Sequence, residues 1–426
     1  MFERVFCSGP WLHMRIKPDG EFGFCRWSNY GDKKFNIKTH SFVDFFQNHM
    51  AHIRHSLLEG KKLSICDSCH EMEEHHKVSG RQRQLLKTGI TTDHFVPSLQ
   101  SSPFIDIFDA SSKTQGHTDL LPVDWQIDLG NYCNNACVMC SPRYSSKIAT
   151  EFQKIGLIDD AKVWNSSWSD NDELLDKFCN DLVQGPEPVY LHFLGGETLI
   201  IPAFKKILTK LLEIGMTAPT IGFTTNLTVW PQDVIDQLLQ FTTVNVGLSI
   251  ESLHEINHYV RWPGRQDTVL ANLERWIELS KSHGHPVQLR LTPSALTILH
   301  VADLYQYAWE RNIGVETCNF IYNPRCLSLK VLPKYIRDIA IERLENFLQD
   351  KIINDQQIVN TRNPSTINQQ VIQDAKSYVN FLRDAEYDNE GAQQLARYLK
   401  TLEKSRGNNV LDYLPEYEEF LRSHGY

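Results

Sequence analysis

Short apolar runs alternate with amphipathic segments from about residue 123 onward. Runs rich in β-branched and aromatic residues predict six strands: VDWQIDLG, PVYLHFLG, TIGFTTN, VNVGLSIE, PVQLRLTP and GVETCNFI. Between them, several segments open with Ser, Pro or Asp and close near Gly or Asn, as helix caps require. The predicted helices are SSKIATEFQKI, DNDELLDKFCNDLVQG, PAFKKILTKLLEIG, PQDVIDQLLQF, DTVLANLERWIELSKSHG and HVADLYQYAWERN. The pattern therefore predicts an α/β fold.

Six strands that alternate with helices imply a parallel sheet with right-handed crossovers. Two closures agree with this pattern, a doubly wound sheet and an incomplete α/β barrel. Residues 85–122 are rich in Ser, Asp, Thr and Pro and indicate a connection between two units. Residues 333–426 predict mostly helix, with a polar, Asn/Gln-rich interruption at 352–373.

The composition indicates a globular protein and argues against membrane-spanning, secreted and nucleic-acid-binding proteins. The chain has 426 residues, of which 41% are hydrophobic, as is typical of a globular protein with a sizeable core. No stretch approaches the roughly 20 apolar residues that span a bilayer, and the start MFERVFCSGPWLHM does not have the pattern of a signal peptide. We therefore expect a cytoplasmic protein without a membrane partner. The net charge of −9 argues against nucleic acid as a partner.

Three cysteines lie within NYCNNACVMC, directly after the first predicted barrel-type strand. A structural zinc site needs four ligands, which Cys133, Cys137 and Cys140 do not supply alone. A zinc knuckle completed by a distant His remains an alternative. On a cubane iron–sulfur cluster, three thiolates would leave one iron open to a small molecule. In α/β barrels, the loops that follow the strands carry the chemistry, so this loop is the first candidate site.

A second group of cysteines lies in the first 70 residues. The segment CSGPWLHMRIKPDGEFGFC predicts a β-hairpin, with Asp-Gly supplying the tight turn. A hairpin brings Cys7 and Cys25 near each other, and Cys66 and Cys69 form a CxxC that completes a four-thiolate set. This set suits either zinc or an iron–sulfur cluster, and the ligand count does not choose between them.

The motifs from residue 123 onward resemble those of the radical S-adenosylmethionine (SAM) enzymes. The Cx3Cx2C loop is followed by HFLGGETL, which is similar to the GGE motif of the family at Gly195, Gly196 and Glu197. FTTNL and VGLSIES resemble the motifs after the third and fourth strands, and YVRWPGR also resembles the family. The resemblance implies a partial (β/α)6 barrel over residues 123–332. It also implies a [4Fe–4S] cluster on the three cysteines and SAM at its open iron.

The same resemblance implies roles for individual residues in SAM binding. The GGE motif positions the SAM amino group in relatives, Asn226 occupies the position of a family TN pair, and Ser249 the position of a serine that meets the SAM ribose. Glu251 stands where an aspartate is more usual. Arg290 is a candidate for the SAM carboxylate, although a strand arginine can equally face a surface partner. Glu197 has an alternative too, as a helix-capping residue.

The amino-terminal cysteines resemble those of the twitch domain, a shortened relative of the SPASM domain. The resemblance implies that residues 1–84 hold an auxiliary [4Fe–4S] cluster on Cys7, Cys25, Cys66 and Cys69, with structural zinc as the alternative. In this interpretation, 85–122 is a linker and 333–426 a helical extension.

The resemblance implies an enzyme that cleaves SAM to a 5′-deoxyadenosyl radical and abstracts hydrogen from a substrate. A peptide or protein is the first expectation for that substrate, and carbohydrate or nucleotide-type substrates are close alternatives. A reductase or a flavodoxin-type protein is the expected electron donor. The competing hypothesis is a non-catalytic zinc-binding scaffold on an α/β domain.

Overall fold

The computed structural model describes residues 5–25, 35–74, 79–87, 92–93, 96–97, 105–165, 167–185, 187–317, 321, 323–354 and 367–426. The strands are β1 His13–Ile16, β2 Phe22–Gly23, β3 Thr92–Asp93, β4 Val96–Pro97, β5 Asp124–Asp128, β6 Tyr190–Leu194, β7 Thr220–Thr225, β8 Val244–Ser249, β9 Val287–Leu291 and β10 Gly314–Thr317.

The α-helices are α1 Gly9–Leu12, α2 Phe42–Asp44, α3 Ala51–Leu58, α4 Asp67–Glu74, α5 Gly80–Lys87, α6 Ile105–Lys113, α7 Ser146–Lys154, α8 Asp172–Gln184, α9 Pro202–Glu213, α10 Gln232–Leu238, α11 Ile256–Val260, α12 Gln266–His283, α13 Val301–Arg311, α14 Lys334–Asn354, α15 Ile367–Asp384, α16 Asn389–Arg406 and α17 Glu418–Ser423. A π-helical turn covers Phe45–His49. Single 3₁₀ turns cover Ser64–Cys66, Ala161–Val163, Trp168–Asp170, Thr198–Ile200, Ile298–His300, Arg325–Leu327, Leu329–Val331, Val410–Asp412 and Pro415–Tyr417.

The fold is α/β with one eight-stranded, mostly parallel sheet in the order β10-β9-β8-β7-β6-β5-β1-β2. All six predicted strands are confirmed, as β5 to β10, and each predicted helix between them is confirmed within a few residues at its ends. Strands β5 to β10 follow one another in chain order. This order lacks the reversal at which a doubly wound sheet changes direction, so that alternative is wrong. Strands β3 and β4 form a separate two-stranded pair.

The described chain divides into two compact units. The first comprises Met1–Asn131, Ser166–Gly222 and Asp233–Val244, and the second comprises Tyr132–Asn165, Phe223–Gln232 and Asn245–Tyr426. No helix in the described part of the chain has both the length and the apolar character needed to cross a membrane.

The first unit contains the predicted amino-terminal hairpin. Strands β1 and β2 pair antiparallel, and the Lys17 amide donates to the Glu21 carbonyl at 2.9 Å across the turn. Gly20 has a φ of +88°, a conformation that favours glycine over other residues in such a turn. The hairpin prediction is therefore confirmed.

Strand β1 also pairs in parallel with β5, from His13 opposite Asp124 to Ile16 opposite Ile127. Trp125 and Ile127 of β5 are almost fully buried, and Trp125 meets the rings of Phe42 and Phe178 edge to face. The hairpin thus extends the parallel sheet of the first unit.

In the second unit, β8 pairs in parallel with β9 and β9 with β10. Helix α12 ends at His283 and is capped by Gly284, whose φ of +71° allows the left-handed cap that the SKSHG sequence predicts. Within 333–426, helices α14 to α17 confirm the predicted helical character. Of the predicted interruption at 352–373, residues 355–366 lie outside the described residues, and the rest is helical in α14 and α15, so the prediction is wrong there.

Candidate functional site

The three-cysteine loop leaves β5 and enters helix α7. The Cys140 amide donates to the Cys137 carbonyl at 3.0 Å, and the Cys133 amide donates to the Ser146 hydroxyl at 3.2 Å. Burial raises the pKa of the Cys140 thiol, and the Cys137 and Cys133 sulfurs raise it further. The structure thus brings the three thiols of this loop within electrostatic reach of one another.

A buried arginine lies beside the middle cysteine. Arg261 Nη1 is 3.9 Å from Cys137 Sγ, and its Nη2 donates to Glu251 Oε1 at 2.6 Å. Burial raises the pKa of the Cys137 thiol, and the positive charge of Arg261 opposes this shift. Glu251 is only 1% exposed, and its second oxygen accepts the Thr292 amide at 2.7 Å.

The sequence pattern predicts no role for Arg261 or for its pairing with Glu251. The segment YVRWPGR contains this arginine, and the family resemblance of that segment was the only signal that could have found it. Nothing in the local pattern indicates that a guanidinium ten residues after Glu251 returns to that carboxylate and to Cys137.

Asn226 contacts the cysteine loop through another asparagine. Its Nδ2 donates to Asn134 Oδ1 at 2.8 Å, and Asn134 Nδ2 donates to Thr228 Oγ1 at 2.7 Å. Asn226 Oδ1 in turn accepts the Thr228 amide at 3.0 Å. These bonds tie the end of β7 to the loop that carries the cysteines.

Ser249 and Arg290 lie opposite each other on β8 and β9. The Arg290 side chain crosses over Gly247, where a Cβ would come within 2.3 Å of Arg290 Nε. Its Nη2 lies 2.9 Å from Glu316 Oε2 on β10. The Arg290 guanidinium is therefore engaged by a carboxylate of this chain, with which a ligand carboxylate would compete.

The GGE motif belongs to the first unit and forms a tight turn after β6. Gly195 has a φ of +148°, and a Cβ there would lie 2.9 Å from the Gly130 carbonyl oxygen. The Gly196 amide donates to the same oxygen at 3.1 Å. Glu197 is 1% exposed and accepts the Leu199 amide at 3.3 Å, so its carboxylate caps the following 3₁₀ turn.

The four amino-terminal thiols converge in the first unit. Burial raises the pKa of Cys66 to about 12, with further contributions from Cys25 and Cys69. Burial also raises the pKa of Cys7, and Cys25, Cys66 and Cys69 all add to the shift. The structure thus brings these four cysteines within electrostatic reach of one another, as a second thiol cluster apart in the chain from the first.

A partly buried ion pair lies beside this second cluster. Arg81 donates to both oxygens of Glu73, at 2.9 and 2.6 Å, and to the Phe6 carbonyl at 3.0 Å. Burial raises the pKa of Cys69, and the Arg81 amide, through a hydrogen bond, lowers it. Arg81 thus joins the segment before Cys7 to the helix that carries Cys69.

The remaining cysteines do not join either cluster in the described residues. Cys179 and Cys326 are buried, at 3% and 7% exposure, as small core residues. Cys318 lies outside the described residues.

One further group of ligand-type side chains is present in the described residues. The ligand atoms of His254, His300 and Asp303 lie within 4.8 Å of one another. His254 Nε2 is 3.0 Å from Asp303 Oδ2, and both side chains are about half exposed. This geometry is that of a surface ion pair, and we assign no metal to it.

Residues 127–298 match the family described as the Radical SAM superfamily. No curated protein sequence matches this chain. Solved structures similar to it include SuiB of Streptococcus suis bound to S-adenosylmethionine, at 14% identity and a TM-score of 0.35, over 82% of this chain and 70% of that chain. SuiB bound to precursor peptide SuiA gives 14% identity and a TM-score of 0.37, over 82% and 70%. Native anSMEcpe with bound AdoMet gives 22% identity and a TM-score of 0.38, over 55% and 62%.

The chain therefore carries a radical SAM superfamily domain, which contains the three-cysteine loop, the GGE motif and the Arg261–Glu251 pair. It is an enzyme, and the match to this superfamily supports SAM-cleaving radical chemistry with SAM and an iron–sulfur cluster.

Proposed function

We propose that Cys133, Cys137 and Cys140 hold a [4Fe–4S] cluster with one iron open to SAM. The convergence of the three thiols supports this proposal most directly. The Cys137 and Cys133 sulfurs raise the pKa of Cys140, so the three thiols form an unfavourable set of free thiolates, and a bound metal relieves it because it deprotonates its thiol ligands outright. Arg261 adds a positive charge beside Cys137, where thiolate charge would accumulate.

We propose that SAM is bound by Gly195, Gly196, Glu197, Asn226, Ser249, Glu251 and Arg290. Their family motifs support this assignment. Both oxygens of Glu251 are engaged, by Arg261 and by the Thr292 amide, so Glu251 would contribute to this SAM site by holding the loop after β8 in place. When bound, the cluster and SAM supply a 5′-deoxyadenosyl radical that abstracts hydrogen from a substrate C–H bond. The residues of this chain orient SAM, compensate charge and exclude water from the reacting atoms.

The amino-terminal thiols support the proposal of an auxiliary [4Fe–4S] cluster on Cys7, Cys25, Cys66 and Cys69 in a twitch-like domain over residues 1–84. Four protein ligands would leave no open position, so this cluster would have a structural or electron-transfer role. The chain-order succession of β5 to β10 supports a partial (β/α)6 barrel over 123–332, with 85–122 as a linker and 333–426 as a helical extension.

We propose a peptide or protein as the substrate, on the resemblance of the amino-terminal cysteines to twitch and SPASM domains. Carbohydrate and nucleotide-type substrates are the alternatives to test beside it. A reductase or flavodoxin-type protein in the cytoplasm would supply the electron.

The experiment is anaerobic purification, determination of iron and sulfide, and incubation with dithionite and SAM while 5′-deoxyadenosine is followed. The proposal expects about eight irons per chain, four for each cluster, and 5′-deoxyadenosine that is absent from the Cys133→Ala/Cys137→Ala/Cys140→Ala variant. About four irons with activity would overturn the auxiliary cluster alone. Zinc without SAM cleavage after reconstitution would overturn the proposed iron–sulfur clusters in favour of zinc at the thiol sites.

A further inference from the structure

The backbone on either side of Cys137 is hydrogen bonded to the last residue of helix α11 and to the segment that follows it. The Ala136 amide donates to the Trp262 carbonyl at 2.7 Å, and the Val138 amide donates to the Val260 carbonyl at 2.8 Å. These two bonds engage the amide groups of Ala136 and Val138. The carbonyl groups of the same two residues accept from other donors.

Helix α16 supplies both of those donors. The Tyr398 hydroxyl donates to the Val138 carbonyl at 2.9 Å, and Arg406 Nη2 donates to the Ala136 carbonyl at 2.7 Å. The Arg406 side chain is 1% exposed. The two residues are eight positions apart, about two helical turns, so both lie on the same face of α16.

The Arg406 guanidinium is itself held in place by its surroundings. Its Nε and Nη2 donate to the two oxygens of Glu151 at 2.8 and 2.6 Å, and Glu151 lies in helix α7, which follows the cysteine loop. The guanidinium also lies over the Trp262 ring, 5.2 Å from its centroid. Tyr398 packs edge to face against Phe152 of α7.

We propose that helix α16 is a brace for the three-cysteine loop and that Tyr398 and Arg406 are positioning residues for its cluster. The identity of that cluster rests on the proposed function, whereas the brace rests on the hydrogen bonds alone. A loop held in its ligating conformation loses less conformational entropy when it binds a metal group. All four backbone polar groups of Ala136 and Val138 are bonded, so Cys137 has a fixed place between them.

Tyr398→Phe tests the brace because it removes one hydroxyl and keeps the ring that packs on Phe152. Tyr417→Phe is the matched control: the Tyr417 hydroxyl is buried and donates to the Ala295 carbonyl at 2.5 Å, in a loop without proposed cluster ligands. The first readout is the rate at which the reconstituted full chain loses the EPR signal that responds to SAM, in the presence of an iron chelator. We expect about fivefold faster loss for Tyr398→Phe, which corresponds to one hydrogen bond of about 1 kcal/mol, and the wild-type rate for Tyr417→Phe.

The second readout needs no cluster and no activity. Amide hydrogen exchange of peptides covering 132–140 in the metal-free full chain should be several-fold faster in Tyr398→Phe and unchanged in Tyr417→Phe. The double variant Arg406→Gln/Glu151→Gln removes the second donor without leaving a buried carboxylate, and it should also speed exchange. If neither variant changes exchange or cluster loss, the brace is overturned. If the wild-type chain binds no cluster but the exchange result holds, the proposed function fails and the brace stands.

Discussion

The buried pair Arg261–Glu251 makes a quantitative prediction about stability. Glu251 is 1% exposed and Arg261 9%, and their charged atoms are 2.6 Å apart. In Arg261→Met, Glu251 retains the Thr292 amide but has lost its only ion-pair partner in the described residues. Removing one partner of a buried pair leaves an uncompensated charge, so we expect a loss of about 3–5 kcal/mol in unfolding free energy.

A second variant distinguishes the two possible sources of that loss, a buried unpaired charge and lost packing. In Arg261→Met/Glu251→Gln, no carboxylate remains to be buried, so the double variant should be about 2 kcal/mol more stable than Arg261→Met. Urea unfolding of the full chain, metal-free and reduced, measures both. Arg265→Met is the control, because it removes an arginine from an exposed pair with Asp267 and should change stability little. A double variant as unstable as Arg261→Met would refute the charge argument and assign the loss to packing.

The pH dependence of Arg261→Met follows from the same carboxylate. Burial raises the pKa of Glu251 above its ordinary value, and Arg261 opposes that shift. Without Arg261 the folded-state pKa rises further, so the folded chain binds a proton that the unfolded chain releases. The unfolding free energy of Arg261→Met should therefore fall as pH rises from about 4.3, the ordinary value for Glu. The double variant should lack this dependence.

Two further predictions concern the strand arginine and the amino-terminal thiols. Gly247→Ala would place a Cβ 2.3 Å from Arg290 Nε, so the side chain must move, and we expect a loss of about 1–3 kcal/mol in thermal or urea unfolding. Gly314→Ala, whose Cβ would meet its nearest neighbour at 3.3 Å, should be much milder, and equal losses would contradict the steric reasoning. Glu73→Gln removes the negative charge that pairs with Arg81, so iron should be lost from the amino-terminal site faster than in the wild type. The initial rate of SAM cleavage should stay the same. Glu74→Gln changes an exposed neighbouring position and should lose iron at the wild-type rate. If Glu73→Gln and Glu74→Gln lose iron at the same rate, the Arg81–Glu73 pair does not stabilise the amino-terminal site.

The elements of this fold were predictable because their signals are local. The short run VDWQIDLG corresponds to β5, in which Trp125 and Ile127 are almost fully buried, and the Asp-Gly of the hairpin corresponds to a turn with Gly20 at positive φ. Ser145, the predicted opening of the first helix after β5, accepts the Ile148 amide as an N-cap. Each of these features depends on residues within a few positions of one another.

The pairings between distant segments were not predictable in the same way. The parallel pairing of β1 with β5 joins residues more than a hundred positions apart, and no local pattern in MRI specifies it. The Arg290 side chain was expected to reach either a ligand or a surface partner, and the structure pairs it with Glu316 of the neighbouring strand. Such choices depend on which strands become neighbours, which alternation alone does not determine.

The three cysteines of the loop differ in their exposure to solvent, and nearby positive charges compensate for the burial of one of them. Cys137 is buried, whereas Cys133 and Cys140 are partly exposed. A buried thiolate is costly unless charge or hydrogen bonds compensate it, and the positive charges of Arg261 and, more weakly, Arg406 lower the pKa of Cys137 against the effect of burial. Arg406 also binds the carbonyl that precedes this cysteine. Helix α16 therefore contributes both position and charge to the cysteine that lies deepest, and a chain truncated before α16 would lose both at once.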